Sequence, residues 1–293
     1  MQKNALREFK ENYVKTTLKA DVIDDAVTAQ MGMAYDDASN AIYRILTQAR
    51  LNDSYATKKG RDTAQVKIEK VLVNLKNKLT NTLRSGVWEM AGAMAEAAQR
   101  DLELLGVADE ETLKVMGPPS MGYINTTFQD SFAHVAAQTG RMADSVRREL
   151  QRDTAEISRR VAVEGLSRPQ AYRALRDKVL ERQPEFKFID KAGKQWDSKT
   201  YFDMLSKTTM KNAMRETYVD QLVKAKHDLV SVSRHGTKCR LCMPWEGEIL
   251  SLTGATPGYY TLDQVKANGL FHPRCKHRLL AYHPEIKEAL KKL

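Results

Sequence analysis

With 293 residues, 42% of them hydrophobic, the chain is long enough for about two domains and for cores to fill them. The net charge of +10 favours contact with nucleic acid or an acidic protein surface, although 37 acidic residues beside 47 basic ones also fit a solvated mixed-charge exterior. No run approaches the ~18 apolar residues of a membrane helix, the first residues lack the apolar core of a signal peptide, and three cysteines do not make a disulfide framework, so the expectation is a protein made in a cytoplasm.

Residues 1–115 read as helices. Ile68, Leu72, Leu75, Leu79 and Leu83 recur at steps of three and four, which predicts one apolar stripe. Lys67, Lys70, Lys76, Lys78 and Arg84 share that segment and fall elsewhere on the helix. From Trp88 to Leu105 the run is rich in alanine and methionine, small enough for close packing in a core or at a subunit interface. Gly117, Pro118, Pro119 and Gly122 then break the pattern.

Helical character returns near Thr126 and runs through Arg160. Arg141, Arg147, Arg148, Arg152, Arg159 and Arg160 make that helix polar over much of its circumference, which predicts a solvent-bridging or partner-seeking helix. Ser167 with Gln170 fits a capping box and Pro169 a first turn, so a further helix is expected from about 168 to 182, ended by Gln183 and Pro184. Beyond Pro184, Phe186, Phe188 and Ile189, a turn over 190–194, and Trp196 read as a short hairpin. A helix over about 199–226 and a strand over 229–233 follow.

The chemistry-bearing residues lie between His235 and His277. Cys239 and Cys242 form C-x-x-C, and His272, Cys275 and His277 form H-P-x-C-x-H. Two close-spaced ligand pairs separated by a loop suit one structural zinc ion. Cys239, Cys242 and Cys275 are the expected thiolates, with His272 as fourth ligand. His277 is the substitute, or orients a ligand from outside, and His235 is not expected to bind. Three thiolates would poorly activate a water, so one closed structural ion is preferred to a catalytic one. Glu246 and Glu248 flank Gly247 and are expected to be solvated residues of a hairpin. Lys238, Arg240, Lys266, Arg274, Lys276 and Arg278 form the candidate nucleic-acid surface, holding phosphates without reading sequence.

The order of segments resembles one family. FKFIDKAGKQW at 186–196, Tyr201, Thr208, Thr209 and Arg215, Asp228-Leu-Val, the cysteine pair, Trp245-Glu-Gly, Ser251-Leu-Thr-Gly and Leu270-Phe-His-Pro-Arg-Cys-Lys-His277 are similar to phage minor capsid protein 2. The wider group is the Mu F-like head morphogenesis proteins. Many members lack the second cysteine of the pair; this chain has both.

The resemblance implies a low-copy structural protein of a tailed-phage virion, inside the capsid at the portal vertex and not an enzyme. It would be made in the host cytoplasm. Expected partners are the portal protein, possibly major capsid or scaffold protein, and the backbone of packaged DNA. The expected fold is mainly α: an elongated helical portal- or capsid-docking part over 1–184, broken near 116–122, then a small α+β zinc-knuckle domain over 185–293. Two alternatives are a metal-dependent nuclease resembling treble-clef enzymes, and an effector ejected with the DNA.

Overall fold

A computed structural model describes residues 3–189, 193–273 and 275–284. Helices make up 72% of it, which settles the mainly-α class. Three long helices dominate the N-terminal part: α1 (Lys3–Leu51), α2 (Lys58–Leu105) and, after the short α3 (Glu110–Met116), α4 (Met121–Glu164). Gly117 ends α3 at φ 57, as the Gly/Pro cluster predicts, and α4 begins five residues before the expected start. The helix expected over 168–182 is two, α5 (Arg168–Arg173) and α6 (Arg176–Glu181). The capping box of Ser167 and Gln170 opens the first of them.

β1 (Lys187–Ile189) pairs antiparallel with β2 (Gln195–Asp197), giving the expected hairpin; residues 190–192 of its turn lie outside the described residues. Next come α7 (Ser198–Lys224), β3 (Leu229–Val232), β4 (Ile249–Ser251), β5 (Tyr260–Thr261), α8 (Leu262–Ala267) and β6 (Leu279–Ala281). The second sheet has the order β5-β4-β3-β6, with β4 and β5 parallel and the other pairs antiparallel.

The chain forms two compact units, each assembled from separated segments. Unit 1 is 1–27, 83–130 and 206–293, and unit 2 is 28–82 and 131–205. In unit 1, Phe9, Ala98 and Leu102 of the first two helices are buried in one core with Leu222, Val230, Leu250, Val265 and Leu280. The expected boundary near 184 divides the chain, whereas this core joins residues from both sides of it. Met90, Ala91, Met94 and Ala98 are nearly inaccessible, so the alanine- and methionine-rich run is core within the chain.

In unit 2, the predicted stripe at Ile68, Leu72, Leu75 and Leu79 is buried. α4, expected to be polar over much of its circumference, also has a buried face. It buries Val135, Met142, Val146, Leu150 and Ile157, together with Gln138, Glu149 and Asp153. The polar members of that face are paired. Arg50 Nη2 lies 3.0 Å from Glu149 and 2.9 Å from Asp153, Tyr55 Oη donates to Asp153 at 2.6 Å, and Arg182 pairs with Asp153 at 2.6 Å. Burying charge is tolerable only with such partners.

Candidate metal centre

The centre is built by strand pairing in unit 1. β3 leads into the first cysteine pair and β6 leaves the second ligand segment. Their antiparallel register sets Val232 against Leu279, and Ser233 N donates to the Arg278 carbonyl at 2.9 Å. Two segments some thirty residues apart are thereby held side by side. The first forms a tight knuckle. Cys242 N and Met243 N both donate to the Cys239 carbonyl, at 3.1 and 2.9 Å, and Thr237 Oγ1 accepts from Cys239 N at 3.1 Å. The second turns the same way, with Cys275 N donating to the His272 carbonyl at 2.9 Å.

All five candidate ligands are brought together. Cys239, Cys242 and His272 place one ligand atom each within 4.8 Å of one another, and so do Cys242, Cys275 and His277. Cys242 Sγ is 3.7 Å from Cys275 Sγ, Cys239 Sγ is 3.4 Å from His272 Nε2, and Cys275 Sγ is 3.3 Å from His277 Nδ1. A metal ion with bonds of about 2.3 Å to sulfur and about 2.0 Å to nitrogen sets neighbouring ligand atoms roughly 3.8 Å (S to S) and 3.5 Å (S to N) apart. These three pairs match that spacing, so the cluster could hold a metal ion, and Cys242 and Cys275 are too far apart for a disulfide of about 2.05 Å.

Each histidine is also prepared for ligation. His272 Nδ1 sits 2.8 Å from the Pro273 carbonyl, which leaves Nε2 facing Cys239. His277 Nε2 sits 3.0 Å from Glu246 Oε1, which leaves Nδ1 facing Cys275. A ligating histidine usually gives its other N–H to a carboxylate or carbonyl in this way. His277 is the deeper of the two, its side chain only 2% exposed; His272 is half-buried.

Glu246 is the residue that sequence reasoning missed. The expectation of a solvated hairpin glutamate is overturned, because its side chain is 12% exposed. Its Oε1 also accepts from His235 N at 2.7 Å and Thr237 N at 3.2 Å. Only its place in Trp245-Glu-Gly, next to the knuckle, hinted at this. Gly247 turns the chain there at φ 77, and a Cβ on it would meet the Arg234 guanidinium at 2.1 Å. His235 stands apart from the ligand groups; its Nε2 lies 2.9 Å from the Lys276 carbonyl and its ring is 4.9 Å from that of His277.

The electrostatics favour the thiolate at two of the three sulfurs and oppose it at the third. Hydrogen bonds from the backbone at Cys242 and Leu241, then His272, pull the Cys239 thiol down to about 7. Burial opposes ionisation at Cys275, but the His277 side chain and backbone outweigh it and bring that thiol to about 7. Burial and the neighbouring Cys275 push Cys242 up to about 12.

With that geometry in place, the comparison with known proteins is decisive. The family model for phage minor capsid protein 2 matches residues 40–292. The chain belongs to the phage minor capsid protein 2 family. No curated protein and no solved structure matches it. The match begins far upstream of the motifs that carried the resemblance, so the helices of this minor capsid protein belong to the family pattern from residue 40 onward.

The candidate nucleic-acid residues are less uniform than the ligands. Lys238, Arg240 and Lys276 are exposed. Lys266 pairs with Glu216 at 3.1 Å, and Arg278 pairs with Asp21 at 2.7 Å with its side chain 14% exposed. Arg274 lies outside the described residues.

Proposed function

We propose that this minor capsid protein is a structural component inside the phage head at the portal vertex, whose C-terminal module is stapled by one zinc ion. The observation that carries the head assignment is the family match over nearly the whole chain. Docking on the portal, or on major capsid or scaffold protein, is assigned to the helices of 1–184, and the metal module to 185–293. Contact with packaged DNA is assigned to backbone phosphates, through Lys238, Arg240 and Lys276 in the module.

Zinc is preferred because three thiols and an imidazole are a soft donor set of the kind that structural zinc sites use. The fourth position is assigned to His277, supported by its burial and its Glu246 partner. His272 then lies at the rim beside Cys239. A bound zinc would supply cross-linking of the two knuckles, and a saturated site leaves no position for a substrate or an activated water. The role is therefore read as structural rather than enzymatic.

Elemental analysis of the purified chain tests the metal. About one zinc per chain, lost in Cys275→Ser, is the expected result, and a folded chain without metal would refute the staple. Detection of the protein in purified virions, and its loss from particles assembled without portal protein, tests the location.

A further inference from the structure

The positive charge of this chain is not where the metal module is. Unit 2 carries 24 basic against 16 acidic residues, a net +8, whereas unit 1 carries 23 against 21, a net +2. Within unit 2 the charge is ordered along α4. Arg141, Arg148, Arg152 and Arg159 follow one another at steps of 7, 4 and 7, and all four are exposed. At about 100° and 1.5 Å per residue, those steps keep them within a sector of about 40° along about 27 Å of helix.

No other residue between Arg141 and Arg159 falls on that sector, small Ala155 flanks it, and no carboxylate lies on it. The nearest exposed acid, Asp144, is held by Arg147 at 2.6 Å. Glu156, on the flank, is held by Arg182 at 2.9 Å. Arg148 and Arg159 have no ion-pair partner among the described residues. Arg152, itself exposed, reaches the buried Glu149 at 3.3 Å, a carboxylate that Arg50 already holds at 3.0 Å. A cleft of about 640 Å³ runs beside the stripe, with Arg148, Arg152, Arg182 and Lys187 on its wall against Glu149 and Glu185.

We infer that this arginine face of α4 is the chain's principal surface for the phosphate backbone of duplex DNA. The inference deepens the proposed DNA contact and rests on that reading. Guanidinium forks pair with phosphate oxygens in bidentate fashion, and protein surfaces that hold DNA are polar and strongly positive. A protein partner of comparable stability would want an apolar centre, which four arginines flanked by one alanine do not provide. The module's own basic residues contribute less, because two of the five described ones are already in ion pairs.

The test is binding of the full-length protein to a duplex of arbitrary sequence across a series of salt concentrations. Three proteins are compared: wild type, Arg148→Gln/Arg159→Gln, and Lys238→Gln/Arg240→Gln/Lys276→Gln. The first variant removes only cations without an ion-pair partner, so the fold should persist, and circular dichroism checks it. Each lost phosphate contact should make the slope of log affinity against log salt shallower by about 0.9, so the double variant should lose about 2 and bind several-fold more weakly. The module variant should change less. If the double variant binds like wild type while the module variant loses binding, this inference is overturned and the proposed DNA contact stands. If wild type shows no salt-dependent binding at all, both fall, and an acidic protein becomes the partner to seek.

Discussion

Replacing Glu246 with alanine removes one oxygen on which three donors converge: His235 N at 2.7 Å, Thr237 N at 3.2 Å and His277 Nε2 at 3.0 Å. The two backbone donors hold the segment just before Cys239, and the third fixes the imidazole behind Cys275. One carboxylate thus sets the spacing of both knuckles. Loss of a carboxylate that orients a ligating histidine typically weakens metal binding about 10–100-fold, or about 1.4–2.7 kcal/mol. Glu246→Gln keeps an acceptor oxygen but not the charge, and should fall between wild type and alanine. The assay is competition for zinc against a chromophoric chelator, with circular dichroism to show that the variant is folded. His277→Ala should reduce affinity further than His272→Ala in the same assay. A folded Glu246→Ala protein with wild-type zinc affinity would refute the role of Glu246, and equal effects of the two histidine variants would refute the assignment of His277.

Four other predictions rest on buried groups. Burial raises Asp101 to about 6 from 3.8, against the opposing bonds from Tyr218 at 2.6 Å and Asn12 at 2.7 Å. The native state therefore holds this proton more tightly than the unfolded chain. Its contribution is fully present below about pH 4 and is lost as pH rises through about 6, a change of ~3 kcal/mol. Denaturation curves across that range should fall less steeply for Asp101→Asn, and a pH-independent difference between the two proteins would contradict it. Arg50→Met strips the partner from buried Glu149 and Asp153, and should cost about 3–5 kcal/mol in urea unfolding. Gly86→Ala would set a Cβ 2.4 Å from Val27 Cγ2 and 3.1 Å from Met210 Sδ, so a loss of about 1–3 kcal/mol is expected in the same measurement. A fragment of residues 185–293 should fail to give a cooperative melt even with zinc, because Phe9, Ala98 and Leu102 complete its core; a sharp transition would show the module to be autonomous.

The sequence alone determined what depends on near neighbours. The stripe from Ile68 to Leu83 follows from helical spacing, the break at Gly117 from backbone chemistry, and the start of α5 from the reach of Gln170 to Ser167. The Cys/His cluster that could hold a metal ion was legible for the same reason, since C-x-x-C and H-P-x-C-x-H bring side chains together within one turn of chain. Tertiary structure decided the rest. β3 lying against β6 put His277 rather than His272 deepest, and put Glu246 behind it, although Glu246 and His277 are 31 residues apart. The unit 1 core drew α1 and α2 to the strands that carry the Cys/His cluster, which no local pattern announces. The arginines of α4 read as general polarity until burial of Val135, Met142, Val146 and Leu150 showed which side faces solvent. A helix's periodicity fixes which residues share a face, but only its packing partners decide which face is left to meet a ligand.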